Sequence, residues 1–296
     1  MRRLSFQHDR DSPAPVQRFW ARMPGHCTVT GGLLRMLGVS GFVLMLVLAS
    51  ALTMPGAALA ATVASDRPVQ VAAAANLQPV LAELVPMFER QHPGRVRVTV
   101  TVGSSANLVR QIQQGLPADL FLSADEAYAL RLFDAGLTPD RGTVYATGRL
   151  VLMVPAASRL PLDPQLAGLS AALPAIDKFA IANPELAPYG KAAVQALQNL
   201  QLWPALQGKI VLGESIAQTT QFISTGAAQA GITALSLALA PELAGRVRYV
   251  LVPEKLHAPL HQRMVLLKTA TPAARVFYEF LQSPQARAVL QRYGYV

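Results

Sequence analysis

The stretch TVTVGSSANLVRQIQQGLPADLFLSAD, from Thr99 to Asp125, constrains the fold more than any other part of the chain. Its first four residues alternate between polar and apolar as a strand does, and apolar residues then recur every four positions from Leu108, the spacing of one helical face. The run from Asp119 to Ser123 predicts a second strand. The stretch is therefore predicted to be one βαβ unit.

The turn between this strand and this helix consists of Gly103, Ser104 and Ser105. A helix N-terminus leaves backbone N–H groups unpaired and carries a partial positive charge, so it can hold an anion without any Lys or Arg. The turn is therefore a candidate oxyanion site. Ser is also a favoured N-cap of any helix, so capping alone is the simpler interpretation of one such turn.

Strands alternate with helices along the rest of the chain, which predicts an α/β fold with parallel sheets. A chain of 296 residues with 52% hydrophobic content is long enough to form two lobes. We predict that residues 68–146 and 260–296 form the first lobe and that residues 147–259 form the second, so that the chain crosses between the lobes twice.

The N-terminal segment predicts export. An Arg-bearing leader precedes the apolar run from Val39 to Leu52, and Ala58-Leu59-Ala60 fits a cleavage site, so residues 1–60 are predicted to be a signal peptide that is removed after Ala60. The expected location is the periplasm. Cys27, the only cysteine, lies within this leader, which excludes disulfides and cysteine-metal sites from the mature chain.

Charge gives no indication of a nucleic-acid partner. The formal net charge is +9, but basic pairs such as Arg246 with Arg248 are scattered rather than gathered into a stripe with aromatic residues nearby. We expect a monomer that binds no nucleic acid.

Four predicted strand-to-helix junctions share the chemistry of the Gly-Ser-Ser turn. In open α/β sheets, ligands collect beyond the carboxyl ends of the strands, where helix N-termini also point. Two lobes that face each other would therefore surround an anion with the junctions Ala75-Asn76, Ser104-Ser105, Tyr189-Gly190 and Ser215-Ile216.

Several of these segments together resemble the periplasmic molybdate-binding proteins of molybdate ABC transporters. The resemblance extends over nearly all of residues 68–296 and is carried by VAAAAN, GSSANLVRQIQQGLPADLFLSAD, IANPELAPYGKAAVQAL and the terminal RYGYV. It implies a two-lobe type II periplasmic binding-protein fold, in which each lobe is a mainly parallel sheet flanked by helices and the ligand lies in the cleft. It also implies delivery of the ligand to an inner-membrane ABC permease, with no catalysis and no cofactor.

By position, the resemblance assigns the molybdate or tungstate contacts to Asn76, to the hydroxyl and amide of Ser105, and to the backbone N–H groups of Tyr189 and Ile216. No metal is implied apart from the molybdate itself. Relatives with a hydroxyl residue at one of two further positions differ from this chain, which has Ala75 and Ala234 there. We expect the Asn76 side chain to supply donors of its own.

Two alternatives remain open at this point. One is a receptor for another oxyanion, such as sulfate or a phosphonate. The other is a periplasmic serine hydrolase with Ser215 as nucleophile, because GESIA resembles the G-x-S-x-G elbow except that Ala217 replaces the second glycine. That reaction would also need a histidine beside Ser215.

Overall fold

The computed structural model describes residues 67–94 and 96–296. The predicted signal peptide, its cleavage site and Cys27 lie outside these ranges. The strands are β1 (Val69–Ala74), β2 (Val98–Gly103), β3 (Leu120–Leu122), β4 (Thr143–Gly148), β5 (Leu150–Pro155), β6 (Phe179–Ala182), β7 (Ile210–Gly213), β8 (Ala230–Ala234), β9 (Val247–Leu251) and β10 (Leu260–Leu266). The α-helices are α1 (Gln78–Gln91), α2 (Ser105–Gln113), α3 (Glu126–Asp134), α4 (Ala167–Ala172), α5 (Pro188–Asn199), α6 (Trp203–Leu206), α7 (Ile216–Ser224), α8 (Leu235–Ala238), α9 (Pro272–Phe280) and α10 (Pro284–Arg292). Short 3-10 helices cover Ala75–Leu77, Leu173–Ala175, Gln207–Lys209, Pro241–Leu243 and Glu254–Leu256.

The strands form two sheets of the same design. The order is β2-β1-β3-β10-β4 in the first sheet and β7-β6-β8-β5-β9 in the second. Within each sheet four strands run in one direction, and β10 or β5 runs in the other. The prediction of a two-lobe α/β fold with mainly parallel sheets flanked by helices is therefore confirmed. Strands β2 and β3 of the predicted βαβ unit both pair with β1, which lies between them.

The two antiparallel strands are the ones that enter each sheet from the other sheet. The chain leaves the first sheet at the end of β4, passes through Arg149, and begins β5 at Leu150. It returns through residues 252–259 to begin β10. Each of these strands is reached from the other sheet without a crossover helix, so it begins beside the carboxyl ends of its neighbours. It therefore runs antiparallel to them. The predicted lobe boundaries stay a prediction.

Successive side chains along a strand point to opposite faces of its sheet, and apolar side chains form a core on both faces. In β1, Val69, Val71 and Ala73 pack with α1 and α9, whereas Ala72 packs on the opposite face against residues of α2 and α3. Helix α2 buries Leu108 and Ile112, as the four-residue spacing predicted, together with Val109, but it ends at Gln113, before Leu116. Among the helices that the structure describes, none is long and apolar enough to cross a membrane.

Candidate functional site

A small cavity lies where the carboxyl ends of both sets of parallel strands meet. About 180 Å³ lies between its walls, counting the space that is open to solvent. Its walls come from all four predicted junctions, and the structure brings the four predicted site residues together there. The lining residues are Ala74, Ala75, Asn76, Gly103, Ser104, Ser105, Ala124, Ala187, Pro188, Tyr189 and Ile216.

The four predicted residues all stand at the start of a helix. Asn76 lies in the 3-10 helix that precedes α1, Ser105 and Ile216 are the first residues of α2 and α7, and Tyr189 is the second residue of α5. Each is 3% exposed or less. Because the first N–H groups of a helix have no partner within it, these positions place polar hydrogens and partial positive charge around the cavity.

The cavity is neutral as well as rich in donors. Among the described residues that line it, none carries a charged side chain. A neutral site of this kind can hold an anion through N–H and O–H donors, and its described lining has no carboxylate that would repel one.

The Ser105 hydroxyl is oriented by a neighbouring backbone group. Its Oγ accepts the N–H of Ala124 at 3.1 Å. That bond occupies a lone pair and leaves the hydroxyl proton available, since no described group accepts it. Ser105 can therefore offer both its hydroxyl and its backbone N–H to an anion.

The side chain of Asn76, which is expected to supply donors, is hydrogen-bonded within the protein. Its Nδ2 donates to Gln262 Oε1 at 2.9 Å and to the Tyr295 hydroxyl at 2.7 Å, so both amide hydrogens are already used. Its Oδ1 is buried without a partner in the described part of the chain. The donor role of the Asn76 side chain stays a prediction; in this structure Gln262 and Tyr295 occupy its amide, and its backbone N–H is the donor that remains.

Tyr189 lines the cavity at the second position of α5. The phenol accepts a hydrogen bond from Gln262 Nε2 at 3.2 Å, and burial raises the pKa of Tyr189 well above its ordinary value. Gly148 makes room for this phenol, because a Cβ there would overlap its oxygen. Gly190 likewise lets α5 begin directly against the end of β6, since a Cβ would overlap the carbonyl oxygen of Ala182.

Sequence reasoning missed the buried polar network beneath the cavity. Gln262, Tyr295 and Ser236 are each 3% exposed or less. The Ser236 hydroxyl donates to the carbonyl oxygen of Asn76 at 2.8 Å, and the Tyr295 hydroxyl lies 3.2 Å from Ser236 Oγ. Burial raises the pKa of Tyr295 to about 12, so the phenol stays protonated. The only sequence signal for this network is the terminal RYGYV, which carries Tyr295.

The two sheets are also joined directly beside the cavity. The backbone N–H of Ala106, in α2, donates to the carbonyl oxygen of Leu186 at 3.1 Å. The Tyr128 hydroxyl, in α3, donates to the carbonyl oxygen of Glu185 at 3.1 Å. The loop before α5 in the second sheet is thus held against two helices of the first, which gives a closed arrangement around the cavity.

Ser215 lacks the environment of a nucleophile. Its Oγ accepts the N–H of Gln218 at 3.2 Å, which is an ordinary N-cap. The described histidines bond elsewhere: His92 to Phe88, His257 to Ala258 and His261 to Thr147. The hydrolase alternative is therefore not favoured.

Larger cavities elsewhere lack this convergence of helix N-termini. Counting the space open to solvent, one of about 900 Å³ lies between β4 and α10, and another of about 1390 Å³ lies near Arg67 and Lys268. Neither contains any of the four predicted junctions. The small cavity is therefore identified as the candidate site by its hydrogen-bond donors and not by its size.

Comparisons with known proteins point to one kind of protein. Residues 69–296 match a family model described as bacterial extracellular solute-binding protein. The molybdate-binding protein ModA of Rhodobacter capsulatus is 37% identical over 202 residues, which cover 67% of this chain and 77% of that relative. ModA of Azotobacter vinelandii is 37% identical over 244 residues, which cover 81% of this chain and 94% of that relative.

Solved structures agree with the sequence relatives. The periplasmic molybdate-binding protein of Azotobacter vinelandii superposes with a TM-score of 0.70 at 31% identity, covering 77% of this chain and 98% of that one. The sulfate-binding protein SubI of Mycobacterium tuberculosis superposes with a TM-score of 0.63 at 22% identity, covering 77% of this chain and 85% of that one. At that identity the second match bears on the fold alone.

Proposed function

This chain belongs to the family of bacterial extracellular solute-binding proteins, as its sequence resemblance predicts, and on that premise we propose that it captures molybdate for an ABC permease. Tungstate should bind as well, because the two dianions have nearly the same size and shape. The protein would be exported, act in the periplasm as a monomer, and catalyse no reaction.

The observation that carries this proposal is the neutral cavity at which four helix N-termini converge. A hydrogen bond to a charged group contributes about 1.5–3 kcal/mol, so five to seven of them contribute roughly 7–20 kcal/mol before costs. Desolvation of a dianion and ordering of the site offset much of this. The remainder is consistent with roughly micromolar or tighter binding.

We assign the contacts as the backbone N–H groups of Asn76, Ser105, Tyr189 and Ile216 together with the Ser105 hydroxyl. Their positions at helix starts support this assignment, because backbone donors there have fixed directions and need no reorganisation. Donors of fixed geometry select for the size of the anion. Neutral donors also avoid a charged pocket that would admit every anion.

Closure of the two lobes over the ligand is the proposed motion. The bonds from Ala106 to Leu186 and from Tyr128 to Glu185 join the two sheets, so they can exist only when the lobes meet. A ligand that bridges the four junctions binds the closed form better and shifts the equilibrium toward it. The permease would recognise this closed form, which couples delivery to occupancy.

Titration calorimetry of the mature chain tests the proposal. Molybdate and tungstate should bind with roughly micromolar or tighter affinity, whereas sulfate and phosphate should give little or no heat. Absent heat with molybdate, or equal affinity for all four anions, would overturn the assignment. Turnover of a generic ester that disappears in Ser215→Ala would favour the hydrolase instead.

A further inference from the structure

Ser104 differs from the other polar N-caps of the described helices. Four of these caps use their side chains in the ordinary way and accept the N–H of the residue three positions on. They are Asp125 at 3.0 Å, Ser215 at 3.2 Å, Thr271 at 3.2 Å and Ser283 at 3.2 Å. Ser104 is the N-cap of α2 and makes no such bond. Its hydroxyl therefore does not cap the helix, although a serine at the N-cap position is expected to do so.

The Ser104 hydroxyl is also buried and unpaired. The residue is 5% exposed, and its Oγ has no hydrogen-bond partner among the described residues. A buried hydroxyl without a partner is destabilising, and such groups are uncommon in folded proteins. Ser104 lines the same cavity as Ser105, so its unused donor lies beside the proposed anion contacts.

The rest of the α2 N-terminus shows why a further donor matters there. The N–H of Ala106 is already committed to the carbonyl oxygen of Leu186. The donors that remain at this turn include the N–H of Ser105 and the hydroxyls of Ser104 and Ser105. Two adjacent hydroxyls on an extended N-cap and the first helical residue can reach one oxyanion from neighbouring directions.

We propose that the Ser104 hydroxyl donates a hydrogen bond to the bound oxyanion, so that the Gly-Ser-Ser turn contributes two hydroxyls and one amide. This inference rests on the proposed function, because it adds a donor to the same site. It predicts that the hydroxyl, unpaired in the protein alone, is satisfied on binding.

The test uses two measurements that should respond in different directions. In Ser104→Ala, the dissociation constant for molybdate should rise by about tenfold or more, since a charge-assisted hydrogen bond is lost. The thermal midpoint of the protein without ligand should stay unchanged or rise, because the variant removes an unpaired buried hydroxyl. Ser104→Cys keeps the shape of the side chain but is a weak donor, so it should weaken binding in the same way.

Ser283→Ala is the matched control, because Ser283 caps α10 and lies outside the cavity lining. It should lower the thermal midpoint and leave molybdate affinity unchanged. The inference is overturned if Ser104→Ala and Ser104→Cys change affinity by less than about threefold, a loss smaller than such a bond supplies. It is also overturned if Ser104→Ala lowers the midpoint as Ser283→Ala does. Failure of the unmodified protein to bind molybdate would instead contradict the proposed function.

Discussion

The turns that begin α2 and α7 occupy equivalent places in the two sheets but offer different chemistry to the cavity. The register of β1 with β2 ends at Ala74 opposite Gly103, and that of β6 with β7 ends at Ala182 opposite Gly213. The helix follows each glycine after a short turn that contains serine. In α7 the serine caps its own helix, so we expect this turn to offer an anion only the backbone N–H of Ile216.

In α2 neither serine caps the helix. Ser105 Oγ accepts from Ala124, and Ser104 Oγ is buried in the cavity wall. The difference arises from tertiary burial rather than from local sequence, because Ser104 is buried whereas Ser215 is partly exposed. Equivalent topology therefore fixes where helix N-termini point, and the packing around each turn decides whether side chains join the backbone in binding.

The largest expected effect comes from a negative charge placed at the first of these turns. Ser105→Asp puts a carboxylate in a buried site built for an anion, where repulsion is weakly screened. Molybdate binding should fall by more than about 100-fold in calorimetry, a loss of roughly 3 kcal/mol or more. Ser215→Asp is the matched change, and it should weaken binding far less because Asp is also an effective N-cap. Equal losses in the two variants would contradict the contrast between the turns.

Removal of one backbone donor tests the second turn. Ile216→Pro deletes the N–H at the first helical position, where Pro is well tolerated. Affinity for molybdate should fall by about 10- to 100-fold, in line with the loss of one charge-assisted hydrogen bond. Ile216→Ala keeps the N–H and serves as the control for lost packing of this buried side chain. If alanine and proline weaken binding equally, the amide is not a ligand.

Truncation of the two serine hydroxyls should separate binding from capping. Ser105→Ala should lower molybdate affinity by about 1.5–3 kcal/mol through loss of its hydroxyl donor. Ser215→Ala should leave affinity within about 0.5 kcal/mol and reduce the free energy of unfolding by about 1 kcal/mol. Calorimetry and denaturant unfolding check the two quantities. Unchanged affinity in Ser105→Ala would remove its hydroxyl from the ligand set.

A smaller effect is expected from the contact between the lobes. Tyr128→Phe removes the hydroxyl that bonds to Glu185 but keeps the ring, so the closed form loses about 0.5–1.5 kcal/mol. Molybdate should dissociate roughly two- to tenfold faster in stopped-flow displacement, while the stability of the unliganded protein changes little. A dissociation rate equal to that of the unmodified protein would show that this bond does not hold the lobes closed.

The smallest effect concerns pH. Burial raises the pKa of Asp125, the N-cap of α3, above its ordinary value of 3.8. The folded state therefore holds this proton more tightly than the unfolded state, and stability is lost as pH rises from 3.8 through the raised folded pKa. Asp125→Asn does not titrate and still caps the helix, so it should unfold at higher denaturant concentration at pH 7, with the advantage fading below pH 3.8. If the stability difference between Asp125→Asn and the unmodified protein were the same at every pH, titration of Asp125 would not be its cause.

The sequence predicts the elements around the site better than the contacts beneath it. Strand-to-helix junctions are visible locally, because alternation changes to a helical period at a Gly or Ser. That is sufficient to place Asn76, Ser105, Tyr189 and Ile216 at helix starts. Strand direction is not encoded in periodicity, so the antiparallel β5 and β10 could not be predicted from pattern alone.

The remaining contacts depend on residues far apart in the chain. The Asn76 amide is occupied by Gln262 and Tyr295, which are separated from it by 186 and 219 positions. Ser215 caps its helix and Ser104 does not, although serine is a favoured N-cap at either position. This difference therefore depends on tertiary packing.

A crystal structure of the mature chain with molybdate would show directly whether the helix starts bind the anion. We expect the oxyanion between the four helix starts, with oxygen atoms about 3 Å from the Ser105 hydroxyl and from the backbone nitrogen of Ile216. Ser215 Oγ should still cap α7. Molybdate bound in another cavity, or held by a charged side chain, would contradict binding by neutral donors at the helix starts.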